Sequence, residues 1–306
     1  MPVRHHLQTL DNRVRGRLAL VTGASGGIGE GCARALASEG CDVVIHYSTS
    51  KVGRHSSFPC HRKRAFKLGA DADGERAEVV ASDLRTQYPD QVFATVAANL
   101  ADRGSARGLV PNVLGQPEIS SKHKAISILV ANAANGRRIR DVGEIGEDDW
   151  DEMMEVNSRS QFVVSKACIE GMRAQSWGRI ILIGSIASRG GGINGCHYAA
   201  SKGALSSMGM NLATLLAPEG ITVNVVLRFA TRLVLSLELT LSATCLQIQP
   251  GMMVPSGMVP TPKGSSWEEG CDMERLRAED PGLAIATMVP VRRPGNPAEV
   301  GNAVNM

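Results

Sequence analysis

Three side chains late in the chain could move a proton together: Ser185, Tyr198 and Lys202. Tyr198 and Lys202 stand at i and i+4, so on a helix they share one face. Free tyrosine has a pKa of about 10 and is a poor acid–base catalyst near neutrality. A neighbouring ammonium favours the phenolate and lowers that value, each unit being worth about 1.4 kcal/mol. Such a pair could give a proton to a substrate oxygen or take it back. The helix itself is predicted by Leu205, Met208, Leu212 and Leu215, which recur at helical spacing. Taken singly, a helical Tyr is more often a packing residue and a Ser after a strand more often a turn.

A second group stands near the start. Thr22-Gly23-Ala24-Ser25-Gly26-Gly27-Ile28-Gly29 follows the apolar run Leu18-Ala19-Leu20-Val21, which reads as a buried parallel strand. Residues 31–40 then read as a helix stopped by Gly40, and residues 41–47 as a second strand. A strand–turn–helix–strand unit of this kind takes a dinucleotide at the helix N-terminus. Gly23 permits the tight turn. Gly27 and Gly29 remove side chains where amides must approach a pyrophosphate and where helix meets sheet. Ser25 and Ile28 join them as candidate cofactor contacts. The spacing is Thr-Gly-x-x-x-Gly-x-Gly rather than Gly-x-Gly-x-x-Gly, so the strand and helix around it carry the inference. A chain with both groups points to a nicotinamide-dependent oxidoreductase.

These motifs, with three more in order, resemble the short-chain dehydrogenase/reductase family. Ile128-Leu129-Val130-Ala131-Asn132-Ala133-Ala134 is similar to its Asn-Asn-Ala-Gly segment, with Ala131 in place of the first Asn and Ala134 in place of Gly. Glu155-Val156-Asn157 resembles the helix that carries the family's catalytic Asn, and residues 180–185 the strand that ends in its catalytic Ser. Tyr198-Ala199-Ala200-Ser201-Lys202 matches the Tyr-x-x-x-Lys core, with Ser185 standing 13 residues before Tyr198. The match covers most of residues 15–226 and looks nearest to the 3-oxoacyl-[acyl-carrier-protein] reductase type of fatty acid biosynthesis.

The resemblance implies a doubly wound Rossmann-type parallel sheet flanked by helices in a single α/β domain. It implies reduction of a ketone, a 3-oxoacyl thioester or similar small carbonyl, to a secondary alcohol. Tyr198 would be the general acid and Ser185 would hold the carbonyl oxygen. Lys202 would also bind the nicotinamide ribose, and Asn157 would help hold a water that returns the proton. Tyr198, Lys202, Asn132, Ala133, Pro250 and Gly251 would touch the cofactor. The family also suggests a homo-oligomer. The rival is a non-catalytic NADP-binding protein, a degenerate member with the cofactor loop intact and the active site misassembled.

Cofactor choice turns on the residues after the second strand. An acid there would bond the ribose 2′-hydroxyl of NAD. The chain instead reads His46-Tyr47-Ser48-Thr49-Ser50-Lys51, with hydroxyls and a Lys that could meet a 2′-phosphate. NADP(H) is therefore expected, with Tyr47 and Ser48 in contact. Asn99, at the end of the third strand, stands where the family usually places Asp against the adenine amine, and its amide oxygen can accept the same bond.

The 306 residues suit one α/β domain with insertions, here residues 17–306 behind an N-terminal extension of residues 1–16. Net charge is +3, which demands no polyanion, so no nucleic-acid partner is expected. No apolar run approaches the roughly 20 residues of a membrane span, so no membrane partner is expected. Seven scattered cysteines without a Cys-x-x-Cys pair suggest free thiols in a reducing compartment, and a cytoplasmic protein. Arg4, Arg13, Arg15 and Arg17 leave a mitochondrial presequence as the alternative, though a frayed start is favoured.

Three places break the family pattern. Residues 52–74 insert a basic stretch before the helix that resumes at Glu75. Its His55, Cys60 and His61 lack a fourth ligand and partner spacing, so no metal is expected. Residues 227–249 insert an apolar stretch, partly alternating through Leu233, Leu235, Leu237, Leu239 and Leu241, before Pro250-Gly251. One reading of both insertions is translated noncoding sequence. The third break is the end: residues 297–306 resemble the family's penultimate helix, and its final edge strand, which supports cofactor pocket and oligomer contacts, is absent. Elsewhere a strand is predicted within residues 91–99, a helix over 101–114, a loop over 117–124 and a long helix from Asp148 to about Gln175. His197 reads as a bystander.

Overall fold

The computed structural model describes residues 13–49, 70–189 and 194–227. Strand and helix alternate: β1 (Leu18–Val21), α1 (Gly27–Ser38), β2 (Asp42–Ser48), α2 (Ala70–Gln87), β3 (Phe93–Ala98), α3 (Arg103–Leu114), α4 (Pro117–Ser120), β4 (Ile128–Ala131), α5 (Glu147–Met154), α6 (Ser160–Ala174), β5 (Gly178–Ile183), α7 (Cys196–Leu216) and β6 (Ile221–Val226). The sheet runs β3-β2-β1-β4-β5-β6, with every pairing parallel. Growth of the sheet reverses between β1 and β4. Their carboxyl ends therefore open a crevice, the usual ligand position in such sheets.

Helices on both faces explain why the central strands are apolar throughout. Leu18, Leu20, Val44 and Leu129 pack with Leu109 of α3, Val164 of α6 and Leu205 of α7. The alternate residues Ala19, Val21, Val43, Ile45 and Val130 pack with Cys32 and Leu36 of α1 and with Val80 and Leu84 of α2. The two-residue period of a strand assigns each set to its own layer.

Several expectations change at the edges of elements. Helix α1 starts at Gly27, inside the glycine cluster rather than after it. Residues 117–124, expected as loop, begin with α4, where Pro117 takes the first helical turn that suits its missing N–H. Lys122 and His123 then reach back to Asp42 at the foot of β2. The long helix is interrupted by a π-turn over Glu155–Arg159. Leu215 is 61% exposed and Leu216 is the buried residue, because the long α7 turns its apolar stripe past Leu215. Residues 13–16, assigned to an extension, pack: Val14 is buried, and the Gly16 amide donates to the Gly40 carbonyl at 2.8 Å. Helix α2 begins at Ala70, within the expected first insertion, and Leu227, the first residue of the second, is buried in the core. The remainder of both insertions, Ser50, Lys51, Pro250, Gly251 and the C-terminal end lie outside the described residues.

Candidate active site and cofactor cradle

The turn after β1 is pinned from both sides. Gly23 has φ +63°, a left-handed conformation that a Cβ would strain. Its amide donates to His46 Nδ1 at 3.0 Å, and the Ala24 amide donates to the His46 carbonyl at 2.8 Å. From β4, Asn132 Nδ2 donates to the carbonyls of Thr22 and Gly23, each at 3.0 Å. Thr22 Oγ1 accepts from the amides of Asn132 and Ala133 at 2.9 and 3.0 Å. Asn132 and Ala133 thus hold the turn itself. A methyl group at Gly29 would lie 2.7 Å from Asn132 Nδ2 and 2.8 Å from Ala24 Cα, so only glycine fits where α1 crosses the turn.

Beyond these anchors α1 opens toward the crevice. Gly27 is again left-handed at φ +59°, and Gly26 caps the helix with no side-chain bond. Nothing lies within 4 Å of where a Gly26 side chain would start. The first amides of a helix have no partner within it, and the helix dipole adds positive potential there. An uncapped glycine terminus with open space in front of it fits a dinucleotide pyrophosphate. Ser25 is half-buried and Ile28 buried on that turn. Tyr47 packs its ring beside Gly74 of α2. Asn99 Oδ1 accepts from the Ala101 amide at 3.0 Å, which leaves its second lone pair for a further donor.

The π-turn between α5 and α6 places Asn157 inward, fully buried. Its Oδ1 accepts from the Asn135 amide at 2.7 Å and its Nδ2 donates to the Asn135 carbonyl at 2.9 Å, which ties the segment after β4 to the helix. Nδ2 also reaches Ser201 Oγ at 3.1 Å, and Ser201 Oγ donates to the Tyr198 carbonyl at 2.8 Å. Tyr198 packs against Met153 and Ala187. Ser185 lies just past β5, where its Oγ accepts from the Ala187 amide at 3.2 Å. Lys202 is 2% exposed and donates from Nζ to the Ile183 carbonyl at 2.8 Å, at the end of the same strand. The four predicted catalytic residues therefore gather where α7 meets the end of β5 and the π-turn.

The family model described as short chain dehydrogenase matches residues 17–113 and 52–232. The chain belongs to the short-chain dehydrogenase family. It is an oxidoreductase of that family. It is 30% identical over 213 residues to the 2-dehydro-3-deoxy-D-gluconate 5-dehydrogenase of Pseudoalteromonas atlantica, covering 70% of this chain and 71% of the relative. It is 28% identical over 294 residues to the 3-oxoacyl-[acyl-carrier-protein] reductase FabG of Escherichia coli (strain K12), covering 94% and 88%. A solved putative NAD(P)-dependent gluconate 5-dehydrogenase from Beutenbergia cavernae, with bound NADP at low occupancy, aligns with TM-score 0.62 and 26% identity, covering 95% of this chain and 88% of that one.

As a short-chain dehydrogenase, the chain has two features that motif reading missed. His46 sits among three strands with its side chain bonded to two of their ends, and no spacing rule could find it. Residues 135–140 carry Arg137, Arg138 and Arg140 beside the Asn157 anchor, with Arg137 paired to Asp149 at the start of α5. His197 is fully buried, and its ring nitrogens have no hydrogen-bond partner among the described residues. Burial holds its pKa below the ordinary value, against Asp149, which raises it, and with Arg137, which lowers it further. Among the described residues no helix is long and apolar enough to cross a membrane.

Proposed function

We propose that the chain reduces a small ketone to a secondary alcohol with NADPH, Tyr198 acting as general acid. The gathering of Tyr198, Lys202, Ser185 and Asn157 where α7 meets the end of β5 and the π-turn supports this most directly. Tyr198 stands on the face of α7 that also carries Lys202, and gives its proton to the carbonyl oxygen. Ser185 holds that oxygen by a hydrogen bond, in the manner of other preorganised donors. Lys202 supplies positive charge and a hydroxyl-binding ammonium for the nicotinamide ribose. Asn157, through the Asn135 carbonyl it braces, orders the route by which water returns the proton. A bound nicotinamide supplies the hydride.

NADPH over NADH rests on Tyr47, Ser48 and Thr49 at the exit of β2, none of them an acid that could meet a ribose 2′-hydroxyl. The substrate class is a 3-oxoacyl thioester or related carbonyl, on the likeness to the reductase relatives. The compartment is the cytoplasm, on the scattered free thiols.

The test is NADPH consumption with an acetoacetyl thioester and with a keto sugar acid, the two classes for which relatives are named, beside cofactor binding by fluorescence. Turnover of either supports the oxidoreductase reading and selects the class. Binding without turnover across a carbonyl panel would replace it with the non-catalytic NADP-binding reading.

A further inference from the structure

His46 is a buried histidine with a defined job for each ring nitrogen. It is 1% exposed. Nδ1 faces the Gly23 amide at 3.0 Å, an N–H that can only donate, so Nδ1 carries a lone pair. Nε2 faces the Ala98 carbonyl at 3.2 Å, which can only accept, so Nε2 carries the proton. The ring is therefore neutral and in one tautomer. A doubly protonated ring would turn a donor against the Gly23 N–H. Burial also holds the pKa of His46 down to about 4, against the Ala98 hydrogen bond, which raises it. The flanking strands β1 and β3 carry no titratable side chain, and Arg103 and Arg107 of α3, which covers that face of the sheet, are exposed.

The two groups that His46 joins belong to different halves of the cofactor site. Gly23 opens the turn that leads into the start of α1, which no side chain caps. Ala98 ends β3 and immediately precedes Asn99, expected at the adenine. His46 also takes the Ala24 amide on its own carbonyl, so one residue grips two consecutive amides of the turn. We propose that His46 is a positioning residue for dinucleotide binding: its ring sets the Gly23 peptide, and with it the direction in which the α1 amides point, and couples that turn to the strand end carrying Asn99. This rests on the reading of the turn as a dinucleotide site, and it assigns His46 no contact with the cofactor.

Three variants separate positioning from packing. In His46→Asn, Oδ1 takes the place of Nδ1 and can still accept from Gly23, while the shorter side chain leaves a cavity. His46→Gln can reach Ala98 but not Gly23. His46→Leu fills the space and bonds neither. If His46 only filled the core, Asn would be the worst variant in every measurement, because cavities are destabilising. Positioning predicts that order for melting temperature alone. For the dissociation constant of NADPH, Asn should stay within about threefold of the wild type, and Gln and Leu should rise about tenfold, the loss of one buried hydrogen bond. Hydrogen exchange at the Gly23 amide, read without cofactor, should be slow in wild type and Asn and fast in Gln and Leu. A ¹⁵N spectrum at neutral pH should show His46 as the Nε2–H tautomer. Slow Gly23 exchange in the Leu variant, or cofactor affinities that follow side-chain volume, would overturn the proposal. A wild type that shows the exchange pattern and binds neither NADPH nor NADH would instead overturn the dinucleotide reading.

Discussion

The turn after β1 and the cluster around Tyr198 are built from opposite materials. The turn is held mostly through main-chain groups: the Gly23 amide and carbonyl, the Ala24 amide and the Thr22 carbonyl all carry bonds. Its side chains are missing where α1 crosses it, at Gly29. The cluster around Tyr198 is held through side chains, and Asn157, Ser185, Ser201 and Lys202 are each no more than 8% exposed. In the first region the absence of atoms matters. In the second, the identity of each donor and acceptor matters, since a buried polar group that loses its partner keeps its desolvation penalty.

The two regions should therefore fail in different ways. The largest effect is expected from Tyr198→Phe, which keeps the ring's packing and removes the proton donor. Turnover should fall roughly 10²–10⁴-fold, the usual worth of general acid–base catalysis, with NADPH binding nearly intact. Retention of more than about a tenth of the activity would exclude Tyr198 as the acid. Gly29→Ala should do the reverse. Its methyl group forces the turn and α1 apart, so stability should fall by about 1–3 kcal/mol. Cofactor affinity should weaken at least about tenfold, some 1.4 kcal/mol. Titration of folded Gly29→Ala with NADPH decides this, and wild-type affinity would end the claim that the turn is closed to side chains.

A finer contrast lies at the exit of β2. Dissociation constants for NADPH and NADH, measured side by side, should favour NADPH, because Tyr47, Ser48 and Thr49 at the exit of β2 bring hydroxyls and none is an acid. Equal or tighter NADH binding would remove that distinction. The smallest effect concerns Asp42, far from either site at the foot of β2. Burial alone would raise its pKa, but hydrogen bonds from His123, Lys122 and the Val92 amide outweigh it and hold the carboxyl below the ordinary range. Its folded value thus lies below the unfolded one, about 3.9. The stability it contributes is present above that pH and is lost as pH falls through the folded value. Asp42→Asn should cost about 1–3 kcal/mol at neutral pH, and its melting-temperature gap to the wild type should close in acid. A gap that stays constant with pH would show that Asp42 acts without its charge.

Much of both regions was legible in the sequence, for different reasons. The glycine turn was readable because each glycine answers a local steric demand next to an apolar strand. The grouping around Tyr198 was readable only as a set, since Ser185, Asn157 and Tyr198 mean little until their order is matched to a family. What escaped was relational. The π-turn that points Asn157 inward adds one residue to a helix and leaves no trace in composition. The clamp of Lys122 and His123 on Asp42 joins a stretch that reads as loop to a strand some 80 positions earlier. The packing of the Tyr47 ring beside Gly74 of α2 is likewise a contact between elements that no local pattern records. Leu215 and Leu216 exchanged places because a long helix drifts against any fixed spacing.

The pairing of β1 with β4 has a consequence for synthesis. Ala19 pairs with Ile128, so the strand that launches the glycine turn waits for a neighbour that leaves the ribosome much later. At about 5–20 residues per second, that interval is on the order of ten seconds. Throughout it, β1 can pair with β2 on one side, while its other edge offers an unmatched row of amides and carbonyls to any nascent chain nearby. Closing so long a loop is also entropically slow. The central seam of the sheet, which brings the turn and the Tyr198 cluster together, is thus the last pairing β1 can make and the step at which a holdase chaperone would protect the growing chain most.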